Sequence, residues 1–396
     1  MPKKTVEDIE VKGKKVLLRV DFNVPLDINS GAIGDDSRIR ASLPTIKYLV
    51  DHKAKVILCS HLGRPEGKVV KELQMTPIAQ RLSQIMGLPV RTAPDCVGQE
   101  VESKVGALKD SDILFLENLR FHEEEEANDP DFAQKLARLA DIYVNDAFGT
   151  AHRAHASTVG VAEYLPAVAG FLMAKELKVM GKLLHNSERP SACLIGGAKV
   201  SDKIGLLQNI LRKFDMLLVG GGMAATFLKT QGCGVGLSLT EEDKLGLARE
   251  LLQEAAEWQV PFLLPIDAVV AKEIKAGVPT RVVPTTKIPS GSQIVDIGPQ
   301  SIELFCRELG KCHTIMWNGP MGIYEIPEFA QGTRSLASFL SSLNATTVIG
   351  GGSTAEIVQE MGLTDKMTYV STGGGASLRF LEGAALPGVE VLLDKK

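Results

Sequence analysis

Ten short apolar runs punctuate the chain, and each ends in a polar or glycine-rich tip. They begin near residues 16, 56, 113 and 142, then near 192, 216, 262, 314, 346 and 368. Runs of aliphatic and β-branched residues without polar alternation suit strands covered on both faces. Helical patterns lie between them, such as Ile204, Leu207, Ile210, Leu211 and Phe214, or Phe132, Leu136 and Leu139. Alternating strands and helices predict an α/β fold with parallel, doubly wound sheets. Right-handed crossovers then bring every strand's C-terminal tip to one edge, where ligands of open α/β sheets bind. Function is therefore to be read at the tips.

The tips fall into two groups. The first four carry Asp21, His61, Arg64, Arg120, His152 and Arg153, whereas the last six carry glycine at 196–197, 220–222, 319, 350–352 and 373–375. The change falls near 165–190, where AKELKVMGKLLHN places Leu177, Met180 and Leu184 on one helical face. This predicts two doubly wound parallel-sheet domains, 1–170 and 187–380, joined by a helical hinge at 171–186, with 381–396 as a separate C-terminal segment. The acidic run Glu123–Glu126 reads as a solvated helix end.

Composition narrows the function. Lys and Arg number 44 against 48 Asp and Glu, a formal charge of −4. A protein that grips nucleic acid or an anionic membrane would carry a basic excess. No apolar run reaches the ~18 residues of a membrane span, and the N-terminus has no apolar signal region. These features predict a cytoplasmic protein with neither nucleic-acid nor membrane partners. The six cysteines are scattered without a CxxC pair, as expected of buried thiols.

Arg38, Arg64, Arg120 and Arg153 lie at or just beyond different tips. Alone they would be four surface charges. Sharing tips with Asp21, Asn23 and His61, they suit a small anionic metabolite that carries a hydroxyl, because guanidinium forks match phosphate and carboxylate. In the second half, glycine-rich tips allow backbone N–H groups to approach phosphates. Lys199 and Lys203, four apart, would face one ligand from one helical turn. The segment is not a Walker loop, and the glycines at 232–236 do not follow a strand as a dinucleotide fingerprint would. One half thus suits a polyanion and the other a nucleotide, which points to phosphoryl transfer across a closing cleft, with magnesium accompanying the nucleotide.

RVDFNVP (19–25), SHLGRP (60–65), LENLRFH (116–122), VNDAFGTAHRAH (144–155), GGAKVSDK (196–203), GGGMA (220–224), WNGPMGIYE (317–325) and STGGGASLRFLEG (371–383) together resemble phosphoglycerate kinase. The resemblance covers nearly the whole chain, in order. It implies reversible, Mg²⁺-dependent transfer between 1,3-bisphosphoglycerate with ADP and 3-phosphoglycerate with ATP, in line after hinge closure, by a monomer. It makes the first domain the phosphoglycerate-binding one, with Asp21, Phe22, Asn23, Arg38, His61, Leu62, Gly63, Arg64, Arg120 and Arg153 on the substrate. It makes the second the nucleotide-binding one, with Gly197, Lys203, Gly220, Gly221, Asn318, Pro320, Glu325, Gly351, Gly352, Ser353 and Thr354 on the nucleotide. Arg38, Lys199 and the Gly373, Gly374 and Gly375 backbone would stabilise the moving group. The C-terminal segment would return to the first domain.

Both nucleophiles of such a reaction are already ionised at neutral pH, so no general base is required. His61, His152 and His155 then read as anion donors or structural partners. One position departs from the family: GGGST stands where GGGD followed by Ser or Thr is usual, so Ser353 replaces a carboxylate that helps hold magnesium. Ser353-Thr354-Ala355-Glu356 also fits a helix capping box. The metal ligands are left unassigned. Two other classes compete, a catalytically lapsed binding protein and a nicotinamide-dependent dehydrogenase. The first is favoured only by Ser353, and the second lacks a properly placed fingerprint.

Overall fold

The computed structural model describes residues 2–27 and 31–395, so the outer ends of the expected domain ranges, Met1 and Lys396, lie outside the described residues. All ten runs form strands of two parallel sheets. The first sheet holds β1 (Lys15–Arg19), β2 (Lys55–Cys59), β3 (Val90–Thr92), β4 (Ile113–Phe115), β5 (Ile142–Asn145) and β6 (Ala167–Ala169), in the order β3-β4-β2-β1-β5-β6. In the second half come β7 (Ser191–Ile195), β8 (Met216–Val219), β9 (Phe262–Leu263), β10 (Asp267–Ala271), β11 (Thr280–Pro284) and β12 (Gln293–Ile297). β13 (Thr314–Asn318), β14 (Thr346–Gly350) and β15 (Tyr369–Val370) complete it. The second parallel sheet runs β15-β14-β13-β7-β8-β9.

The central strands are buried throughout, as their unbroken apolar runs require: Val16, Leu17 and Leu18 on β1 and Leu194 and Ile195 on β7 are fully enclosed. Val16, Leu18, Val56, Leu58, Ile39 and Ile46 join one core on the first sheet. Cores on both faces of the second sheet take alternate residues of β7, with Cys193 and Ile195 in one and Ala192 and Leu194 in the other.

Each sheet reverses its strand order once. In the first, β2 and β5 flank β1; in the second, β8 and β13 flank β7. Crevices form at such switch points. The tips that matter are therefore those after β1 and β5, and those after β7 and β13.

Sequence reading missed the three-residue edge strands β3 and β6 of the first sheet, and also β10, β11 and β12, which form an antiparallel sheet in the order β11-β10-β12. Such strands need only one buried face. On β11 only Val283 is buried and Val282 is 54% exposed, so no continuous apolar run marks it.

By its internal contacts the chain separates into two units. One holds the chain up to Lys178 together with residues from Ala385 onward, and the other is Val179–Ala384. The helix Phe171–His185 carries the chain from one to the other. The last residues bind into the first unit: the N–H of Leu393 donates to Ala167 (2.9 Å), and Lys4 donates to Leu393 (2.7 Å). Asn145 Nδ2 at the tip of β5 donates to the Gly388 carbonyl (3.1 Å).

The acidic run needs correction. Glu123–Glu126 is a helix, but Glu125 is fully buried, accepting hydrogen bonds from the Ser157 hydroxyl (2.6 Å) and N–H (2.9 Å). A charge run gives no sign of which member turns inward.

Candidate functional site

At the first switch point the chain turns sharply after β1. The N–H of Phe22 donates to Ser60 Oγ (2.9 Å), which fixes this turn against the tip of β2. Asp21 then pairs with the Arg38 guanidinium, which projects from the first turn of the helix Ser37–Asp51. Asp21 also lies 4.0 Å from His61 Nδ1. Burial would raise the Asp21 carboxyl, but neighbouring positive charge, Arg38 foremost, outweighs it and holds the group below its ordinary range. Asn23 Oδ1 accepts from the Gly63 N–H (2.9 Å), and Arg120 Nη1 donates to the Gly63 carbonyl (2.8 Å).

Direct contacts thus bring together Asp21, Asn23, Arg38, His61, Gly63 and Arg120. Arg120 is 5% exposed and also pairs with Glu126 (3.0 Å). Arg153 is partly exposed beside His152, and Arg64 is exposed. The side chains of Phe22 and Leu62 point into the core, so only their backbones face this turn. His155 is buried, 3.8 Å from Glu125, and burial pushes its ring down to about 4, so it stays neutral at physiological pH. Sequence reading missed Arg19, Ser157 and Glu125, a buried polar layer behind this cluster. Arg19 sits within the run VLLRV, where periodicity places only core.

At the second switch point the tips after β7, β8 and β13 interlock. The N–H groups of Gly196, Gly197 and Gly221 donate to the carbonyls of Asn318, Pro320 and Met321 at 3.0–3.1 Å. A Cβ on Gly196 would meet the Pro320 carbonyl oxygen at 2.0 Å. These glycines permit close packing of the tips. Their N–H groups, like that of Gly220, which donates to Ile195 (2.8 Å), are committed within the protein instead of being free for a phosphate.

Lys203 locks the same junction. Its Nζ donates to Gly196 O (2.7 Å), Asn318 O (2.9 Å) and Asn318 Oδ1 (2.6 Å). Burial lowers its ammonium from 10.5 to about 8. Lys199 is exposed and precedes any helix: a 3₁₀ turn occupies Ser201–Lys203, and the α-helix begins at Ile204. The expected pairing of Lys199 and Lys203 on one α-helical turn does not occur. Thr354 is buried, its Oγ1 accepting the Gly319 N–H (2.8 Å).

In front of these tips lies a cavity of about 420 Å³, lined by Gly197, Gly221, Pro320, Tyr324, Glu325 and Ser353 among others. Volumes of about 300–1,000 Å³ suit small ligands and cofactors. Its apolar wall, including Leu239, Ile294 and Met321, had no distinctive sequence signal. Asp296 also lines it, but its carboxylate accepts N–H groups from Ile297 (2.8 Å) and Gly332 (2.7 Å), and burial pushes it up to about 7. A hollow of about 500 Å³ elsewhere, between Asp36, Arg40 and Arg81, contains none of the expected site residues.

Ser353 does not cap its helix. The helix is Gly352–Glu360 with Gly351 as N-cap, so Ser353 falls inside the first turn and no side-chain cap forms. The Tyr324 hydroxyl instead donates to Glu356 Oε2 (3.2 Å) and also pairs with Ser353. Gly373 to Gly375 form the turn into the helix Gly375–Leu381.

All six cysteines are free thiols, four of them buried and two partly exposed. Cys96 gathers with Asp95 and His122, their ligand atoms within 4.8 Å of one another. His122 Nε2 is bonded to Asp95 (2.6 Å), the Cys96 thiol donates to the Glu117 carbonyl (2.9 Å), and burial holds that thiol protonated.

A family model for phosphoglycerate kinase matches residues 6–384. The chain is 57% identical over 399 residues to a phosphoglycerate kinase from Dictyoglomus turgidum, covering all of both chains. It is 56% identical over 395 residues to one from Pelotomaculum thermopropionicum, again over the full length of both. The solved structure of phosphoglycerate kinase from Coxiella burnetii superposes with a TM-score of 0.87 at 40% identity, over 98% of each chain.

Proposed function

The chain belongs to the phosphoglycerate kinase family, and from that premise we propose how its residues divide a reversible phosphoryl transfer between ATP and 3-phosphoglycerate. It is a glycolytic kinase that transfers phosphate to a carboxyl group. The cluster after β1 carries the reading: a carboxylate only 10% exposed, Asp21, kept ionised beside Arg38, with His61 and Arg120 around it. Asp21 accepts the substrate hydroxyl, and Asn23 with Gly63 shapes the turn beside it. Arg64, Arg120 and Arg153 meet its phosphate, with His61 as a further donor. Phe22 and Leu62 contribute backbone alone.

Arg38, Lys199 and the turn at Gly373, Gly374 and Gly375 meet the charge that spreads over the transferring group. The acceptor carboxylate is already ionised, so attack needs positioning and water exclusion but no base. Transfer in line requires hinge closure to bring the two ligands together. The nucleotide occupies the 420 Å³ cavity, Glu325 reaching its ribose. Gly197, Gly221 and Pro320 line it, Gly220, Asn318 and Thr354 support those tips from beneath, and Gly351 and Gly352 stand at the opening of the adjacent helix.

Magnesium fits this donor set. It prefers oxygen ligands and keeps several waters. The Ser353 hydroxyl and the Glu325 carboxylate line the cavity, and Glu356 stands one helical turn beyond. Ser353 is the residue to hold the ion or one of its waters, and the bound ion would neutralise phosphate charge. Ser353→Asp should lower the free Mg²⁺ needed for half-maximal activity about tenfold, and a titration that overlays the parent's contradicts the assignment.

Lys203 supplies a second check. A nucleotide phosphate beside it raises its pKa again, so binding at pH 8.5 should take up a fraction of a proton, ~0.5 or more. Calorimetry in buffers of differing ionisation enthalpy reads this uptake, and Lys203→Met should abolish it.

The division of labour has a direct test. Asp21→Asn should weaken 3-phosphoglycerate at least tenfold while leaving ATP within twofold, and Lys203→Met should do the reverse. Equal loss of both ligands from either variant contradicts it. Among the described residues no helix is long and apolar enough to cross a membrane. The enzyme acts, on this reading, as a cytoplasmic monomer on small molecules, without nucleic-acid partners.

A further inference from the structure

We propose that Arg19 is a positioning residue that fixes His61 as the neutral imidazole with its proton on Nε2, aimed at the phosphoglycerate. Arg19 is 1% exposed and makes three separate contacts. Its Nε donates to Ser157 Oγ (2.9 Å), its Nη1 donates to the Val20 carbonyl, and its Nη2 faces His61 Nδ1 at 3.2 Å. A guanidinium can only donate. His61 Nδ1 must therefore accept, which leaves the single proton of a neutral ring on Nε2. Among the described residues Nε2 has no hydrogen-bond partner, while the ring keeps 5% exposure. That N–H is the donor left for a ligand.

The layer behind Arg19 makes the arrangement stable. Ser157 accepts from Arg19 and donates to Glu125 Oε1 (2.6 Å), so a buried carboxylate balances the buried guanidinium through one hydroxyl. Three fixed contacts allow the guanidinium plane no freedom to turn from the imidazole. Asp21, 4.0 Å from Nδ1, pulls the other way and would favour a proton on that nitrogen. Burial and the charges of Arg19, Arg120 and Arg38 oppose it and keep the ring from taking a second proton. Without Arg19, Asp21 wins: Nδ1 gains a proton and the ring becomes a pH-dependent donor.

The inference rests on the substrate role given to His61 above, and the test separates the two. Long-range ¹H–¹⁵N spectra of ¹⁵N-histidine-labelled protein, assigned with His61→Gln, report the tautomer directly. The parent should show the Nε2–H form without titration from pH 6 to 8. An Nδ1–H ring or an imidazolium at pH 7 overturns Arg19's role. Adding 3-phosphoglycerate should move the Nε2 signals; an unmoved ring overturns the substrate role on which the proposal depends.

The variant is Arg19→Met combined with Glu125→Gln, so that no buried charge is left unpaired. Its KM for 3-phosphoglycerate, divided by the parent's at each pH, cancels the substrate's own ionisation. That ratio should rise at least fivefold between pH 6 and pH 8, with kcat within threefold of the parent. A ratio flat within twofold overturns the proposal, because a merely structural defect weakens binding equally at every pH. Should the variant fail to fold, the parent's spectra decide alone.

Discussion

Arg38→Ala should lower kcat by about three orders of magnitude while leaving ATP binding within twofold of the parent. One preorganised donor at a developing charge is worth about 10²–10³ in rate, and an arginine on a transferring phosphoryl group about 10³–10⁵. Arg38 adds a ground-state role, since its guanidinium pairs with the half-buried Asp21. Without it the strongest influence keeping that carboxylate ionised is gone and burial raises its pKa. Affinity for 3-phosphoglycerate should then fall as well, most at low pH, where Asp21 protonates. Arg38→Lys restores charge without the two-pronged fork and should recover less than a tenth of the lost rate. The Arg38 side chain keeps 33% exposure, but Asp21 loses its main counter-charge, so the melting temperature should fall at neutral pH and the loss should shrink as pH is lowered and Asp21 protonates. An alanine variant with more than a tenth of parental kcat would remove Arg38 from the transfer step.

Gly221→Ala should act through structure. Gly221 has φ +69°, where an L side chain costs roughly 1–2 kcal/mol. An added Cβ would stand 2.6 Å from the Gly197 nitrogen and 2.7 Å from its oxygen, both backbone atoms that cannot swing aside. Overpacking adds about 1–3 kcal/mol. The unit Val179–Ala384 should therefore lose about 2–5 kcal/mol on both counts. Nucleotide affinity should drop at least tenfold, because the displaced tip lines the cavity. Binding of 3-phosphoglycerate to the other unit should survive. Denaturant unfolding followed by calorimetry reads both. A variant with parental stability would contradict the interlocked tips.

All but two edge strands of the parallel sheets, β3 and β6, were legible because buried strands repeat one signal, an apolar run that breaks into a tip. The antiparallel sheet was not, since β11 is exposed at most of its positions. At the first switch point, charged residues after a buried run stand out, and Asp21, Arg38, His61 and Arg120 were found that way. Arg19 was hidden inside its strand and Glu125 inside an acidic run, because sequence order does not show which polar side chain turns inward. At the second switch point the glycines stand at tips that line the cavity, but for a reason other than the one expected. Close packing explains Gly196 and Gly221 better than free N–H groups do. Ser353 fitted a capping pattern that depends on where the helix starts, and the start at Gly352 moved it out of register. Tyr324 and the apolar cavity wall become a site only through folding.

The most direct measurement of the central claim is a coupled assay. The protein is mixed with 3-phosphoglycerate and ATP, product formation is linked to NADH oxidation, and free Mg²⁺ is titrated from zero. The account predicts turnover that requires all three components and falls about a thousandfold in Arg38→Ala. No turnover from the parent, with both ligands still bound by calorimetry, would contradict it and leave a binding protein that has lost its transfer step.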